Sequence, residues 1–432
     1  MAVRTSDDRP PGAPEAPEDE ARQGAPAPKE ALRILFLGDY FPRPNNPTMG
    51  TWALGQLQAL AAEPGVTVRA ISCSSWVPRW LGRLSPGARR RAECPRTHHY
   101  GPIRVDYPRW PYYNVGLFRS LFTRHPGLML GLAWPAVRSQ VFRTVKAFRP
   151  DVVYVHHSLP SGFIGLQIHE RFGVPYVITD HSLDYIEACR RFPWRRRLFE
   201  KVVRNAQAVV AVARRMEALL RELFPGIRTV TIQNGTDPIP QAILERPRPA
   251  ELQSRFLFFS CGFFYERKCF PELIDAFAPV AARHPEALLR IAGDGALRPA
   301  VEARIRAHQL QDRVQLLGLV DHATVLQEMA WSDAFVLIGY DEPFGVVFSE
   351  AMAAGKPIIA ASDGGINDVF IDQVHGLAVP PRDIGAATVA MKRLLMDQGF
   401  RVACGRASNQ LFDSKLRWSP NVQGLITVLS KS

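Results

Sequence analysis

No run of 18 or more consecutive apolar residues occurs in this 432-residue chain, so no membrane-spanning helix is expected. The six cysteines, Cys73, Cys94, Cys189, Cys261, Cys269 and Cys404, show no C-x-x-C spacing, which excludes a zinc ribbon and a disulfide framework. A reducing cytoplasm fits them best. The N-terminal stretch has no apolar core followed by a small-residue cleavage site, so a secretory signal is not expected. RNP, KH and zinc-finger patterns are also missing, which leaves no standard nucleic-acid reader.

What is present is a large apolar fraction, 47%, in a chain long enough for two domains. Residues 1–30 are rich in Pro, Ala and acidic side chains and read as a disordered tail. The formal net charge is +12; the tail holds four basic and seven acidic side chains, so the remainder carries about +15. A body this basic suits an anionic partner: a nucleotide, a phospholipid surface or a nucleic acid. The plainer alternative is solubility combined with an arginine-rich coding bias.

Short apolar runs alternate with helical stretches along the whole chain. Residues 32–38, 66–71, 149–155, 175–179, 208–212 and 229–233 read as strands of a first unit. A Pro-rich connection, Pro238 to Pro249, separates them from strands at 255–260, 287–292, 314–317, 334–338 and 357–361. Such alternation implies parallel sheets with right-handed crossovers. The expected architecture is α/β: residues 31–236 as one Rossmann-like domain and 237–432 as a second, facing each other across a cleft. The final helix is expected to cross back to the first domain.

The stretch "EPFGVVFSEAMAAGKP", Glu342 to Pro357, follows a strand and opens a helix that is apolar all round except for Glu350. A buried, unpaired carboxylate is strongly unfavourable. Glu350 can accept two hydrogen bonds from a vicinal diol such as a ribose, and Glu342, in the turn, can do the same for a second sugar. The backbone at Phe344, Gly345 and Val346 lies where helix N-termini meet anions. The structural alternative is a solvent-reaching Glu350 with Glu342 as a cap.

Glu342-x7-Glu350, followed by Ala351-Met-Ala-Ala-Gly-Lys-Pro357 and Gly364-Gly365, resembles the paired-glutamate motif of GT-B glycosyltransferases of the retaining family 4 type. Asn234-Gly-Thr-Asp237 and Gly293-Asp-Gly295 resemble that family's interdomain and "GDG" elements. The resemblance implies a GT-B fold and a nucleotide-sugar donor. It puts Glu342 on the transferred sugar, Glu350 on the ribose, and the backbone at Phe344, Gly345 and Val346 on the diphosphate. Arg267 and Lys268 stand where the family has a basic pair, but Phe263 occupies the usual arginine position and Cys269 replaces a glycine. Asp368 stands where a glutamate is common, in a Gly-rich loop whose amides can face the sugar or a phosphate.

In the first half, Gly50 leaves a helix N-terminus open to an anion, and Thr51 could cap it. His181, in "TDHS", matches a family histidine near the transferred sugar; His156 and His157 also end a strand. No D-x-D sits between short strands, so neither a metal nor a cofactor is expected, and the positive groups above would meet the diphosphate. Two Arg-rich segments with aromatics, 80–91 and 190–199, suit an anionic membrane surface, single-stranded nucleic acid or a plain solvated face.

The function read from these residues is sugar transfer to a hydroxyl acceptor, such as a surface polysaccharide or a lipid-linked sugar, by a cytoplasmic enzyme peripheral to the inner membrane face. The alternatives are a sugar-nucleotide epimerase on the same fold and a basic nucleic-acid-binding protein.

Overall fold

The computed structural model describes residues 31–47, 49–73, 75–111 and 116–431. The tail 1–30 lies outside the described residues. Two sheets organise the rest. The first holds β1 (Leu32–Gly38), β2 (Val66–Ser72), β3 (Thr97–Tyr100), β4 (Ile103–Asp106), β5 (Val152–His156), β6 (Tyr176–Asp180), β7 (Ala208–Ala211) and β8 (Thr229–Thr231). The second holds β9 (Phe256–Cys261), β10 (Ala287–Ala292), β11 (Val314–Gly318), β12 (Ala334–Leu337), β13 (Ile358–Ala361) and β14 (Gly376–Val379).

Strand order is β3-β4-β2-β1-β5-β6-β7-β8 in one sheet and β11-β10-β9-β12-β13-β14 in the other. Among the strand pairs of the described residues, only β3 with β4 is antiparallel. The central strands carry apolar side chains on both faces, as a parallel sheet covered by helices requires; Ile34, Leu35, Phe36 and Leu37 of β1 are all fully buried.

In each sheet the strand order reverses once near the middle. The reversal falls between β1 and β5, registered Ile34 to Val152, and between β9 and β12, registered Ala334 to Phe258. Connections leaving the two strands at such a point run to opposite sides and open a crevice at the strands' C-terminal ends. The residues that follow β1, β5, β9 and β12 therefore face the interdomain cleft.

The chain passes between the sheets twice, and the two passages lie side by side. Thr236 N–H donates to the Leu416 carbonyl at 2.8 Å, and Thr236 pairs with Arg417 as an isolated parallel bridge. The final helix, Trp418–Leu429, then packs on the first domain, where Val422, Leu425, Val428 and Leu429 join a core with Ile34, Phe36 and Leu57. Asn421 Oδ1 accepts from Gln56 Nε2 at 3.2 Å. No helix among the described residues is long and apolar enough to cross a membrane.

Candidate active site

The loops after β9 and β12 leave adjacent strands and so run together. Tyr340 N–H donates to the Arg267 carbonyl at 3.0 Å, which ties one loop to the other. This brings Lys268 Nζ within 2.7 Å of Glu342 Oε2, both side chains mostly buried. Burial raises the Glu342 pKa, but the Lys268 ammonium, its hydrogen bond and the Arg267 charge together outweigh burial and hold the carboxyl below its ordinary range. The residue expected on phosphate and the residue expected on sugar thus neutralise each other in the same spot.

Beside them begins the helix Val346–Ala353, with Gly345 as its N-cap and no side chain capping it. Gly345 has φ 79°, and a Cβ there would come within 2.7 Å of the Phe348 ring, so the sharp entry into this helix needs glycine. The helices starting at His322, Ile384 and Gln398 are all capped by an aspartate. The uncapped end at Gly345 leaves donors and the positive end of the helix dipole available to an anion. Phe344 is buried against the core below. Gly293, at the end of β10, approaches the Gly262 carbonyl so closely that no Cβ fits; its place is in packing the floor under the loop after β9.

Glu350 is buried, as its surroundings require, but it is not unpaired. His322 Nε2 lies 2.7 Å from its Oε1. This corrects the expectation that only a ligand could satisfy the carboxylate. The hydrogen bond to Glu350 raises the His322 pKa; burial opposes this, and the charges of Glu350, Asp237 and Asp321 add to the rise. Glu350 Oε2 has no partner among the described residues, so one acceptor oxygen remains for a ligand. His322 escaped the sequence reading because it is a lone helix-opening histidine in no motif.

Arg267 does not stand free. Its Nη1 donates to Asp184 Oδ2 at 3.2 Å, across the cleft. Other contacts close the same groove: Arg215 pairs with Asp341 and donates to the Asp363 carbonyl at 3.0 Å. Asp368 Oδ2 accepts from Arg214 N–H at 2.6 Å, so this residue ties the domains together instead of lining a sugar site. The Gly-rich loop is likewise engaged internally: Gly365 N–H donates to the Glu342 carbonyl at 2.9 Å and Gly364 N–H to the Ala361 carbonyl at 3.3 Å. Those amides are not turned to a ligand in this structure. Phe263, in place of an arginine, is half-exposed and stacks on Tyr265 with ring centroids 5.9 Å apart.

On the opposite wall, the ends of β5 and β6 bring three histidines together. Ring centroids lie 4.6 Å apart for His156 and His181 and 5.4 Å apart for His157 and His181. Trp52 edges on His181 at 6.2 Å. His157 Nδ1 is 2.8 Å from Asp39 Oδ1, at the end of β1. Burial disfavours charge on all three rings. For His157 the carboxylates of Asp39 and Asp180 more than compensate and its pKa is raised; His156 and His181 fall well below their ordinary values, His157 adding to the fall. His181 Nε2 is buried without a hydrogen-bond partner. Asp180 instead accepts the amides of Ser158 at 3.0 Å and Ser182 at 3.1 Å, fixing both loops. Gly50 caps the helix Thr51–Ala62 in a left-handed conformation, with no side-chain cap.

The Arg-rich segment at 190–199 does not form one exposed face. Arg195 is fully buried, with its guanidinium over the Tyr185 and Phe122 rings at 4.9 and 5.6 Å. Arg196 donates to the Leu223 carbonyl at 3.1 Å, and Arg197 lies over Trp194. In the other segment Trp80 and Leu84 are exposed.

Two parallel-sheet domains with a cleft across both strand reversals, a basic residue on a buried glutamate and an open helix end define a GT-B glycosyltransferase. The chain belongs to that group: residues 243–411 match the family model for glycosyl transferases group 1, and residues 106–239 match that for glycosyltransferase family 4. Mycobacterium tuberculosis glycogen synthase is 29% identical over 296 residues, covering 65% of this chain and 69% of that protein. Sucrose-phosphate synthase from Thermosynechococcus elongatus superposes with a TM-score of 0.73 at 22% identity, covering 93% of this chain and 98% of that one. Anabaena HepE in complex with UDP-glucose superposes with a TM-score of 0.64 at 20% identity, covering 93% and 100%.

Proposed function

We propose that this glycosyltransferase moves a sugar from a nucleoside diphosphate donor to a hydroxyl acceptor, with retention of anomeric configuration and without a metal. One observation carries the reading: Lys268 and Glu342 are held together at the β9–β12 reversal, beside the uncapped Val346–Ala353 helix and one turn from Glu350. In this reading the diphosphate enters between the Lys268 ammonium and the helix N-terminus. Glu342, released from Lys268, accepts from hydroxyls of the sugar. Glu350 takes the ribose through Oε2 while His322 holds Oε1. Neutral His181, its buried Nε2 unpartnered, faces the sugar from the other wall.

The bond from the anomeric carbon to the diphosphate oxygen breaks while the acceptor oxygen bonds to that carbon on the same face. The acceptor proton leaves with the nucleoside diphosphate. Lysine and helix amides meet charge on the departing oxygens as it develops. UDP is the first nucleotide to test, because HepE was crystallised with UDP-glucose. The acceptor class, including surface polysaccharide or lipid-linked sugar at a membrane, belongs to the same proposal. Thermal shifts with UDP, GDP, ADP and dTDP are the direct test. Stabilisation by one of them, weakened in Glu350→Ala, supports the reading; no shift with any of the four contradicts it. Proton NMR of the product's anomeric centre tests retention, and product analysis with donor alone distinguishes transfer from epimerisation.

A further inference from the structure

Arginines gather a second time on the first domain, outside the donor-side site. A cavity of about 360 Å³ opens between the helix Gly116–Arg124 and the joint of the helices Leu183–Arg191 and Pro193–Asn205. Arg119, Ser120, Thr123, Arg124, Arg191 and Phe192 line it. Among the described residues none of these three arginines is paired with a carboxylate; Arg191 lies only over the Phe192 ring, at 5.5 Å. The contrast with the next residue is direct, since Arg190 bonds both Glu187 and Glu222. Like charges held around one concavity repel one another and focus a positive potential into it.

A second observation points the same way. Behind this wall sits Arg195, fully buried on Phe122 and Tyr185, with Nε donating to the Tyr185 carbonyl at 3.0 Å. Its Nη1 and Nη2 have no oxygen partner; the polar group beside the guanidinium is the Cys189 thiol, whose pKa it lowers against the effect of burial. A buried cation without a counter-charge is costly, and an anion nearby would offset that cost. Ser120 adds a hydroxyl at the cavity; the Thr123 hydroxyl already donates to the Arg119 carbonyl at 2.8 Å.

The cavity also lies close to the cleft. The helix Leu183–Arg191 begins at the cleft, where Asp184 bonds Arg267, and ends at the cavity with Arg191. Seven residues of helix rise make that separation about 10 Å.

We propose that this cavity binds a phosphate group of the acceptor, so that the acceptor is a phosphate or diphosphate ester whose free hydroxyl reaches the donor sugar. The proposal rests on the transferase reading above. The phosphate itself stays intact and serves only to hold the acceptor.

The test uses the full chain saturated with UDP. Inorganic phosphate and farnesyl phosphate are titrated calorimetrically into the wild type and into the triple variant Arg119→Gln, Arg124→Gln, Arg191→Gln, all three positions being exposed, with Arg124→Gln alone as a milder control. The expected result is binding of both ligands to the wild type, weakened about tenfold or more in the triple variant, with UDP affinity unchanged. Farnesyl phosphate binding much more tightly than inorganic phosphate identifies a lipid-borne acceptor; equal affinities identify a soluble one. Failure of both ligands to bind the wild type, or equal binding to the triple variant, overturns the proposal. So does binding confined to phosphatidylglycerol vesicles, which would mean surface charge alone. A wild type that binds phosphate but no nucleotide would strike at the transferase reading and not at the cavity.

Discussion

Removing Lys268 would leave the Glu342 carboxylate buried with only the more distant Arg267 charge. Breaking a buried pair in this way typically costs about 3 kcal/mol, so Lys268→Ala should lower the melting temperature measurably as well as weaken nucleotide binding. The pH dependence follows from the sign of the shift. The folded-state pKa of Glu342 is lowered, so its stabilising contribution is present above the ordinary value of 4.5 and lost as pH falls through the lower folded value. His322 runs the other way. Its folded pKa is raised, so the pair with Glu350 stabilises below about pH 6.5 and loses that contribution as pH rises through the folded value. An NMR titration of the His322 ring should therefore show a raised midpoint in the wild type and a return towards 6.5 in Glu350→Gln. Kinetics should separate the two glutamates: Glu350→Ala raises the donor KM, whereas Glu342→Ala mainly lowers kcat.

At the scale of elements, the entry into the Val346–Ala353 helix depends on one backbone conformation. Gly345→Ala would place a Cβ against the Phe348 ring at positive φ, a strain of about 1–3 kcal/mol. Reduced stability together with weaker UDP binding is the expected outcome, measured by thermal melts with and without nucleotide. The elements easiest to anticipate from sequence were those with continuous apolar runs, because parallel strands are buried on both faces. Strands β1, β5, β6, β7, β9, β12 and β13 fall in this group, whereas β2, β8, β10 and β11 were expected despite polar interruptions. β3 and β4, with sequences THHY and IRVD, alternate weakly with polar residues on a sheet edge, and β14, GLAV, opens on a glycine; none of the three carries that signal. The glutamate pair and Lys268 were legible because they sit in local motifs. Their mutual contact, and those of His322 with Glu350 and Arg267 with Asp184, join residues 28 to 83 positions apart. The sheet order, which sets β9 beside β12, decides the first of these meetings; the packing of helices and of the two domains decides the others. The burial of Arg195 was hidden for a similar reason, since a run of arginines looks solvated until the aromatic rings that cover it are placed.

Across the whole molecule, two kinds of contact hold the domains together. Arg267–Asp184 and Arg215–Asp341 are partly exposed ion pairs, each worth about 0–1 kcal/mol. Replacing both arginines by alanine should change the melting temperature little while increasing the radius of gyration in small-angle scattering, as the cleft opens. The final helix is different in kind. Four of its apolar side chains complete the first domain's core, at roughly 1.5–3 kcal/mol each when fully buried. A chain ending at Arg417 should lose cooperative unfolding of the first domain, observed as a broadened melt.

Trp418 stands where the second passage re-enters the first domain, lodged against Gly55 on one side and Gly235 on the other. The strand pair at Thr236 and Arg417 adjoins it. Both tethers are anchored along a single line, so shearing one half past the other would tear the Thr236–Leu416 hydrogen bond, whereas swinging about that line leaves it whole. The two lobes are thereby joined like the covers of a book at one spine, a connection that favours tilting over sliding.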